Sequence, residues 1–552
     1  MKGVRMSQDL IDEYVGQGFW TTATMTDCFE RNAELWPDKE AVVDSEKRLT
    51  WLQVKVNSDR LALKLLELGF KRDDIILVQL PNSVDAFIVQ IACRKAGVVN
   101  AQALPVFREN EIKAVLEMVA AKGVIMVDKS KDFDNFAMIR KIQPQMPSLQ
   151  HIFISGEDVP GGTMGLDNIF QETLETRYAT DSLKASRIPS FDTSIILLTS
   201  GTTGMPKAVE WSEAACIVGG KGILEKTRAN SEDIFGGLMP MAGASGYLSL
   251  WLAAPQIGAK TVFLKKWDAG SALELIEKEK MTILFCAPPQ LEMLLQHPDF
   301  ERIDFSSVRA IRSGAGPLLP DTAIEIEKKI GCRVAISSGT TEAGVLASSC
   351  VDDDDYVRLY TLGKAITGME LNVIDGQGKS LSPDEPGDLL VRGAAAGSGY
   401  FKNEKATLES WGSLRKDAWF STGDIATLDK FGNLKIVGRK KDMILRGGQN
   451  IFPKLIEDIL RNHPKVLDVA VIGMPDSIMG EKCCAYIVCK EDNVASFDEI
   501  ISFLTEQKLS KYMLPERVEF INSIPTVTYT GKADKKLLRE DITKKLKDEG
   551  KI

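Results

Sequence analysis

Strand-like and helix-like patterns alternate along the first part of the chain, and this alternation constrains the fold most. Residues 59–70 carry apolar side chains at helical spacing, and Gly69 marks a helix stop. The run at 73–80 is typical of a buried strand, and 83–97 again shows a helical pattern that ends on a glycine. The same alternation returns over 256–345. It predicts α/β layers in which the strands pair in parallel.

The pattern changes near residue 370 to short strands separated by turns, which predicts an antiparallel sheet or a small barrel. A hairpin and a basic, glycine-containing connector fill 430–450 and lead into a tail of helical and strand patterns. This tail of about 110 residues is long enough to form a small α+β domain of its own. A chain of 552 residues is also too long to fold around a single hydrophobic core. We expect at least two domains, with a boundary near 438–442.

Composition excludes several classes of protein. The chain is 44% hydrophobic and 26% charged, with a formal net charge of −9, which gives no general affinity for nucleic acid or anionic membranes. No signal peptide is evident, and no run approaches the ~20 apolar residues of a membrane span. The cysteines Cys483, Cys484 and Cys489 fit buried thiols in a reducing cytoplasm better than a zinc site. We expect a cytoplasmic protein.

One loop has the composition of a phosphate-binding site. The stretch TSGTTGMPKAV at 199–209 follows an apolar run, and its two glycines would let backbone N–H groups approach a polyphosphate while Lys207 adds charge. It is not a Walker loop, because Pro206 and Ala208 stand where that motif needs a glycine and a hydroxyl. The alternative is a flexible surface loop, the usual role of segments rich in serine, threonine and glycine.

Three further motifs accompany this loop in order along the chain. They are SSGTTEAG at 337–344, STGDIATLDKFGNLKIVGRKKD at 421–442 and PTVTYTGKADKKLLRE at 525–540. Together the four motifs resemble those of the acyl-adenylate-forming superfamily, which comprises acyl- and aryl-CoA ligases, carrier-protein adenylation domains and beetle luciferases. The resemblance begins at 37–54 and extends over nearly the whole chain, so coincidence is a poor explanation.

The resemblance implies a fold and a two-step reaction. The fold is α/β, with a large N-terminal region over 1–439, made of two α/β lobes and a small β-barrel, and a mobile α+β C-terminal domain over 440–552. A carboxylate attacks the α-phosphorus of ATP to give acyl-AMP and pyrophosphate, and a thiol, usually that of coenzyme A, then takes the acyl group. The implied ligands are ATP, Mg²⁺, coenzyme A and a small carboxylic acid. The resemblance does not decide whether the protein forms a homodimer.

Catalytic roles follow from matching positions in the motifs. Lys532 matches the adenylation lysine that bridges the carboxylate and the α-phosphate; the alternative is a solvated lysine, one of five in 532–546. Glu342 matches the magnesium-binding glutamate, a residue type that suits a hard divalent ion. Its alternative role is capping a helix. Thr341 should hydrogen-bond the α-phosphate.

The nucleotide should be held by further groups. Asp424 matches the aspartate that accepts hydrogen bonds from the ribose hydroxyls, with Arg439 beside it. The alternative, a buried Asp–Arg pair that fixes the barrel, is compatible with this role. The stretch 313–318 resembles the adenine-side wall of the family. The implied ATP- and AMP-binding residues are Thr199, Ser200, Gly201, Thr202, Thr203, Gly204, Lys207, Gly314, Ala315, Gly316, Ser338, Gly339, Thr340, Asp424 and Arg439.

The second half-reaction is assigned to other residues. Lys441 falls where the family places its hinge, a position that absorbs changes in φ and ψ. Gly447 and Gly448 would line a thiol tunnel, where any side chain would obstruct the passage. Both assignments rest on family analogy.

Three sites depart from the family pattern. Ser338 stands where an aromatic ring usually stacks on adenine, a loss of roughly 1–3 kcal/mol by analogy with base stacking. Ala242, Gly243 and Ala244 occupy the acid-pocket region, where many relatives carry an aromatic residue and a histidine. Glu213 comes directly after a serine, at a position where relatives often have a histidine. These changes leave the core chemistry in place but put the positioning of the carboxylate in question.

Two stretches bear on the acid. Residues 100–112 resemble the version found in relatives that activate aryl and alicyclic acids. Dihydroxybenzoate-activating relatives use an asparagine and a histidine where this chain has Gly243 and Ala244, so phenolic hydroxyls would lack partners. We expect an apolar carboxylic acid, either cyclic or medium-chain.

Coenzyme A is the expected acceptor, because the sequence shows no carrier-protein segment. Two alternatives stay open: a free-standing ligase that loads a carrier protein, and a degenerate nucleotide-binding paralogue that does not turn over. The retention of Lys532, Glu342, Asp424 and Arg439 argues against the degenerate paralogue.

Overall fold

The computed structural model describes residues 1–130, 133–178, 181–199, 206–415, 417–490, 494–527 and 532–552, apart from the side chain of Ser249. The chain divides into two compact units. Unit 1 comprises 1–371, 391–420 and 432–434, and unit 2 comprises 372–390, 421–431 and 435–552.

Unit 1 combines helices with two large sheets. Its strands are β1 (Glu40–Val43), β2 (Arg48–Thr50), β3 (Ile75–Gln79), β4 (Val99–Gln102), β5 (Gly123–Val127), β6 (Lys129–Ser130), β7 (Phe133–Asp134), β8 (His151–Ser155), β9 (Met164–Gly165), β10 (Thr193–Leu198), β11 (Ala208–Ser212), β12 (Ile234–Gly237), β13 (Lys260–Phe263), β14 (Ile283–Cys286), β15 (Ala310–Ser313), β16 (Arg333–Thr340), β17 (Gly344–Ser348) and β18 (Lys364–Ala365).

Its α-helices are α1 (Gln8–Gly16), α2 (Met25–Leu35), α3 (Trp51–Glu67), α4 (Val84–Ala96), α5 (Glu109–Val119), α6 (Asn135–Ile142), α7 (Leu166–Gln171), α8 (Glu213–Thr227), α9 (Ala244–Gly246), α10 (Ala254–Ile257), α11 (Ala269–Glu279), α12 (Pro288–Leu295), α13 (Pro320–Ile330), α14 (Asp355–Tyr360) and α15 (Glu404–Trp411). A π-helical segment, Tyr247–Trp251, continues α9.

The two sheets are mainly parallel. One sheet has seven strands in the order β11-β10-β4-β3-β5-β8-β9, and only the β10–β11 pair is antiparallel. The other has nine strands in the order β18-β17-β16-β15-β14-β12-β13-β1-β2, with antiparallel pairs at its two ends. The central strands are continuously buried, as parallel strands covered by helices on both faces must be. The α/β class predicted from the alternating patterns is confirmed.

Apolar helix faces cover the sheets and form separate cores. Helices α5 and α6 pack on the seven-stranded sheet through Ile112, Val115, Leu116, Met138 and Ile139. Helices α11, α12 and α13 pack on the nine-stranded sheet in the same way. Each of the two sheets, together with the helices packed on it, therefore has its own hydrophobic core.

Helix α4 shows how the local sequence sets such an element. The Ser83 hydroxyl accepts a hydrogen bond from the Ala86 N–H at the start of the helix. Gly97 ends the helix in the left-handed region at φ +78°. Every residue of α4 is buried, which includes the polar residues Gln90 and Arg94.

Unit 2 holds most of a four-stranded sheet and the C-terminal elements. The four strands, in spatial order, are β19 (Met369–Ile374), β20 (Gly387–Gly393), β21 (Phe420–Leu428) and β22 (Leu434–Arg439). The sequence pattern left an antiparallel sheet or a small barrel open for this region, and among the described residues the sheet is open. The short strands lie where the turn signals predict them. In the described part of the chain, the last strand, β22, is not paired with the first, β19.

The C-terminal part is α+β, as expected. Strands β25 (Val466–Asp476) and β26 (Gly480–Cys489) form a long antiparallel hairpin, flanked by β23 (Ile444–Arg446), β24 (Gln449–Ile451) and the parallel strand β27 (Arg517–Phe520). The helices are α16 (Pro453–Leu460), α17 (Phe497–Glu506) and α18 (Lys535–Asp548). Cys483 and Cys484 are buried free thiols on β26, and burial raises the pKa of Cys484 to about 12.

Across the described part of the chain, no helix is both long enough and apolar enough to reach from one side of a bilayer to the other.

Candidate active site

The glycine-rich loop joins two antiparallel strands. Strand β10 ends at Leu198 and β11 begins at Ala208, and the backbone N–H of Thr199 donates to the Lys207 carbonyl at 2.9 Å. The Lys207 N–H donates to the Thr199 hydroxyl at 3.2 Å. These bonds fix the two ends of the loop. The intervening predicted residues lie outside the described part of the chain, and their phosphate role stays a prediction: Ser200, Gly201, Thr202, Thr203 and Gly204.

Lys207 lies next to an aromatic ring that also contacts the predicted metal ligand. The Lys207 ammonium lies 4.6 Å from the centroid of the Tyr400 ring. The Tyr400 hydroxyl donates a hydrogen bond of 2.9 Å to Glu342 Oε1. Tyr400 thus links two residues that the sequence pattern assigns separately. The sequence gives no signal for Tyr400, because its contacts join segments that are far apart in the chain.

Thr341 and Glu342 lie in the turn between β16 and β17. The Thr341 carbonyl accepts from the Trp211 indole N–H at 3.1 Å, and the Glu342 carbonyl accepts from the Gly397 N–H at 2.9 Å. Both side chains are half-buried. A strand follows this turn, so the alternative role of Glu342 as a helix cap is excluded.

The segment expected to face adenine packs against the 337–344 motif. Strands β15 and β16 pair with Ser313 opposite Ile336, and Gly314 follows directly. A Cβ atom on Gly314 would come within 2.8 Å of the Ser337 hydroxyl oxygen, so a larger residue here would require Ser337 to shift. Ala315 has a φ of 66° and is exposed, and Gly316 is half-buried. The structure therefore places the two predicted nucleotide segments side by side.

The remaining predicted residues of that motif occupy the end of β16. Ser338 is half-buried and pairs with Ala347, and Gly339 is exposed. The Thr340 hydroxyl accepts from the Ala343 N–H at 3.0 Å and so stabilises the turn that carries Glu342. Their contacts to a nucleotide stay predictions.

The two stretches associated with the acid meet in unit 1. A Cβ atom on Gly243 would lie 3.8 Å from Leu104 Cδ2 and 3.6 Å from the Pro240 carbonyl oxygen, which are ordinary contact distances. Ala242 is buried, whereas Gly243 and Ala244 are half-buried. The Asn82 carboxamide fixes the segment before them by accepting from the Met241 N–H at 2.6 Å.

Glu213, the third departure from the family pattern, belongs to a buried network. Its carboxylate accepts from Arg94 Nε at 2.7 Å and from the Met25 N–H at 2.9 Å. Arg94 also donates to the Tyr247 hydroxyl at 2.7 Å and lies 4.4 Å from the Trp251 ring centroid. Burial is the largest single influence on the pKa of Arg94 and lowers it, but Glu213 and Tyr247 together with Cys216 outweigh burial, so the pKa is raised. Glu213 therefore anchors the π-helical segment after the acid-pocket residues.

Unit 2 places three predicted residues together. Asp424 is buried, and its carboxylate accepts from Arg439 Nε at 2.7 Å, while the arginine side chain is 46% exposed. Burial raises the pKa of Asp424, although Arg439 and then Lys532 oppose this shift. The Asp–Arg pair considered from the sequence is present, and a ribose role for Asp424 stays a prediction.

The pKa of Lys532 is lowered, first by desolvation and then by the Arg439 cation, and Asp424 only partly offsets this. Lys532 is exposed as a residue, yet its amine is surrounded by protein atoms, and the neighbouring cations Arg439 and Lys441 shift the pKa in the same direction. Its carbonyl accepts from the Val527 N–H at 2.8 Å. The surroundings of the Lys532 amine therefore differ from those of an exposed lysine such as Lys536.

The proposed hinge and tunnel residues lie on exposed turns. Lys441 sits in a single 3₁₀ turn, Lys440–Asp442, directly after β22. Gly447 and Gly448 join β23 to β24 with φ values of +53° and +82°. Glycine suits both positions because the hairpin turn needs left-handed backbone. This requirement is independent of any tunnel.

Comparisons with known proteins agree with this arrangement. A family model described as "AMP-binding enzyme" matches residues 29–401, and one described as "AMP-binding enzyme C-terminal domain" matches 455–532. The chain is 31% identical to the medium-chain fatty-acid–CoA ligase of Escherichia coli strain K12, over 97% of this chain and 93% of that protein. It is 29% identical to the 2,3-dihydroxybenzoate-AMP ligase of Bacillus subtilis strain 168, over 98% and 97% of the two chains.

Solved structures share the fold. The crystal structure of the anthranilate CoA ligase AuaEII in complex with anthranoyl-AMP superimposes with a TM-score of 0.84 at 24% identity, over 95% of this chain and 98% of that chain. ATP-bound MatB from Rhodopseudomonas palustris gives a TM-score of 0.80 at 26% identity, over 94% and 99% of the two chains. On these matches, the chain belongs to the AMP-binding enzyme family of AMP-forming ligases.

Proposed function

We propose that this protein is an ATP-dependent acid–thiol ligase that converts an apolar carboxylic acid to acyl-AMP and then to its coenzyme A thioester. The observation that carries the proposal is the cluster of Lys207, Tyr400 and Glu342 beside the glycine-rich loop. An ammonium and a carboxylate held by one tyrosine suit a polyphosphate and its metal ion. The motif order along the chain supports the same reaction.

The first step needs charge neutralisation. The α-phosphorus is shielded by negative oxygens, so a carboxylate can attack it only when that charge is offset and the two anions are held in line. Lys532 would bridge the carboxylate and the α-phosphate, and Lys207 would hold the β- and γ-phosphates that leave as pyrophosphate. Thr341 would bind the α-phosphate. Asp424 would accept hydrogen bonds from the ribose hydroxyls.

The residues present fit a magnesium ion bound together with ATP. Glu342 Oε1 accepts from Tyr400, and no described side chain hydrogen-bonds its other oxygen. The described residues contain no group of three or more His, Cys, Asp or Glu side chains that could hold a metal ion. A single carboxylate is what Mg²⁺ uses when phosphates and water supply its other ligands. When bound, the ion would neutralise phosphate charge.

The second step is assigned to the C-terminal domain, 440–552. Lys441 lies at the end of β22, where a change of φ and ψ could reorient the elements that follow. In our proposal this movement exchanges Lys532 for the turn at Gly447 and Gly448, which would admit the thiol. A Cβ atom on Gly448 would meet no atom within 4 Å, but the φ of +82° strains any side chain there, so Gly448→Ala tests the passage only when thermal unfolding of the variant is measured beside its rate of thioester formation.

Lys207→Ala should raise the Michaelis constant for ATP about tenfold or more and slow adenylation, with little change for the acid. A charge-assisted hydrogen bond to phosphate contributes roughly 1.5–3 kcal/mol. The measurement is acid-dependent ATP–pyrophosphate exchange at varied ATP. Lys221→Ala, which removes an exposed lysine on α8, is the matched control. An unchanged ATP constant and exchange rate in Lys207→Ala would refute the clamp.

The enzyme should use cyclohexanecarboxylate, benzoate or hexanoate with a higher kcat/KM than 2,3-dihydroxybenzoate. The small residues at Gly243 and Ala244 offer no side-chain partner for phenolic hydroxyls, which would have to be desolvated. The exchange assay with each acid measures this preference. Gly243→Ala tests the same pocket with little disturbance of its packing, because a methyl group there makes only ordinary contacts. A rate with dihydroxybenzoate equal to or above those with the apolar acids would contradict the substrate class.

A further inference from the structure

Tyr400 is held rigidly against the strand that follows the glycine-rich loop. The Phe401 N–H donates to the Ala208 carbonyl at 2.8 Å, and the Glu210 N–H donates to the Gly399 carbonyl at 2.9 Å. Tyr400 itself forms a bridge with Val209, two residues beyond Lys207. The backbone of Tyr400 therefore moves with the strand that carries Lys207.

Helix α15 fixes the Tyr400 ring from the other side. The Tyr400 N–H donates to the Thr407 hydroxyl at 3.0 Å, and the ring meets Trp411 edge-on at 5.5 Å between centroids. Tyr400 is 3% exposed and Trp411 2%. A side chain restrained in this way presents both its face and its hydroxyl in fixed directions.

We propose that Tyr400 is a positioning residue that sets two phosphate-site groups at once: its ring face holds the Lys207 ammonium and its hydroxyl orients the Glu342 carboxylate. This inference rests on the proposed function, since it assigns Lys207 and Glu342 to ATP and its metal ion. It adds a residue that no motif in the sequence marks.

The chemistry of the two contacts supports this division. A phenol that donates to a carboxylate forms a charge-assisted bond to one oxygen and leaves the other for a metal ion. The ring face attracts the ammonium without removing any of its three donors.

Two substitutions separate the ring from the hydroxyl. Tyr400→Phe keeps the face toward Lys207 and the contact with Trp411, but removes the donor to Glu342. The affinity for the metal ion should fall about tenfold, as for other residues that orient metal ligands. Tyr400→Leu removes the ring as well, and should also weaken binding of the metal-free nucleotide about threefold.

The test is equilibrium binding of Mn²⁺, followed by electron paramagnetic resonance, with the full-length protein and an ATP analogue whose α,β-bridge is methylene. Binding of the analogue alone is measured with EDTA present. Glu342→Gln shows the effect of losing the ligand charge, and Tyr178→Phe, which removes a tyrosine–glutamate hydrogen bond of 2.9 Å at an exposed position, is the matched control. Thermal unfolding of each variant reports on the fold.

We expect Tyr400→Phe to need an Mn²⁺ concentration about ten times higher for half-saturation. Its dissociation constant for the metal-free analogue should stay within twofold of the wild-type value. Tyr178→Phe should match wild type in both measurements. Unchanged Mn²⁺ binding in Tyr400→Phe, with Glu342→Gln impaired, would overturn the role of Tyr400 and leave the proposed function standing. Failure of the wild-type protein to bind the analogue with Mn²⁺ would overturn both proposals.

Discussion

Lys532→Ala should reduce acyl-AMP formation about 100- to 1,000-fold, the range expected when one group that stabilises transition-state charge is removed. Lys532 is set apart from other C-terminal lysines by its lowered pKa and by the neighbouring Asp424 and Arg439. Thioester formation from supplied acyl-AMP and coenzyme A should stay near the wild-type rate, because Lys532 is assigned to the first step alone.

The two half-reactions are measured separately, the first as ATP–pyrophosphate exchange and the second as thioester formed from synthetic acyl-AMP. Lys536→Ala is the matched control, since Lys536 is an exposed lysine four residues further along the chain. It should leave both rates unchanged. Equal loss of both half-reactions in Lys532→Ala would contradict the division of labour between two arrangements of the C-terminal domain.

Glu213→Ala should lower the free energy of unfolding by about 3–5 kcal/mol, because it leaves the buried Arg94 without its carboxylate. Both side chains are 1% exposed, so water cannot replace the lost partner. Urea unfolding followed by tryptophan fluorescence measures the effect, since Trp251 lies against Arg94. Because Arg94 also holds Tyr247, acid binding should weaken as well.

A conservative series distinguishes the charge from the packing. Glu213→Gln keeps the shape and should cost less than Glu213→Ala. Replacing both partners, with Arg94→Met and Glu213→Leu together, should recover much of the lost stability, because matched apolar pairs often replace buried ion pairs without cost. If Glu213→Ala unfolds at the wild-type urea concentration, the buried pair does not anchor this region.

The sequence predicted the sheets well because buried parallel strands have a local signature. The run at 73–80 is an apolar segment between helical patterns, and it forms the fully buried strand β3. No such local signature could decide between an open sheet and a small barrel. Whether four short strands close into a barrel depends on how the strands β19 to β22 pair with each other, and alternation within each strand carries no information on that.

The candidate site was predictable where one motif holds one group. Glu342, Asp424 and Lys532 were each marked by their motif, and the structure adds their neighbours. Tyr400 was missed because the two groups that it positions, Glu342 and Lys207, are 58 residues or more away in sequence, and a lone tyrosine after SG has no pattern of its own. Glu213 looked like a change to the acid pocket, but its partner Arg94 lies 119 residues earlier in the chain.

The most direct test of the account is pyrophosphate release from ATP across a panel of carboxylic acids, each with and without coenzyme A. The account predicts release that depends on an apolar acid, with thioester formed only when coenzyme A is present. Acid-dependent release without thioester would show that the acceptor is not coenzyme A. No release with any acid would contradict the central claim and favour the alternative of a nucleotide-binding relative that does not turn over.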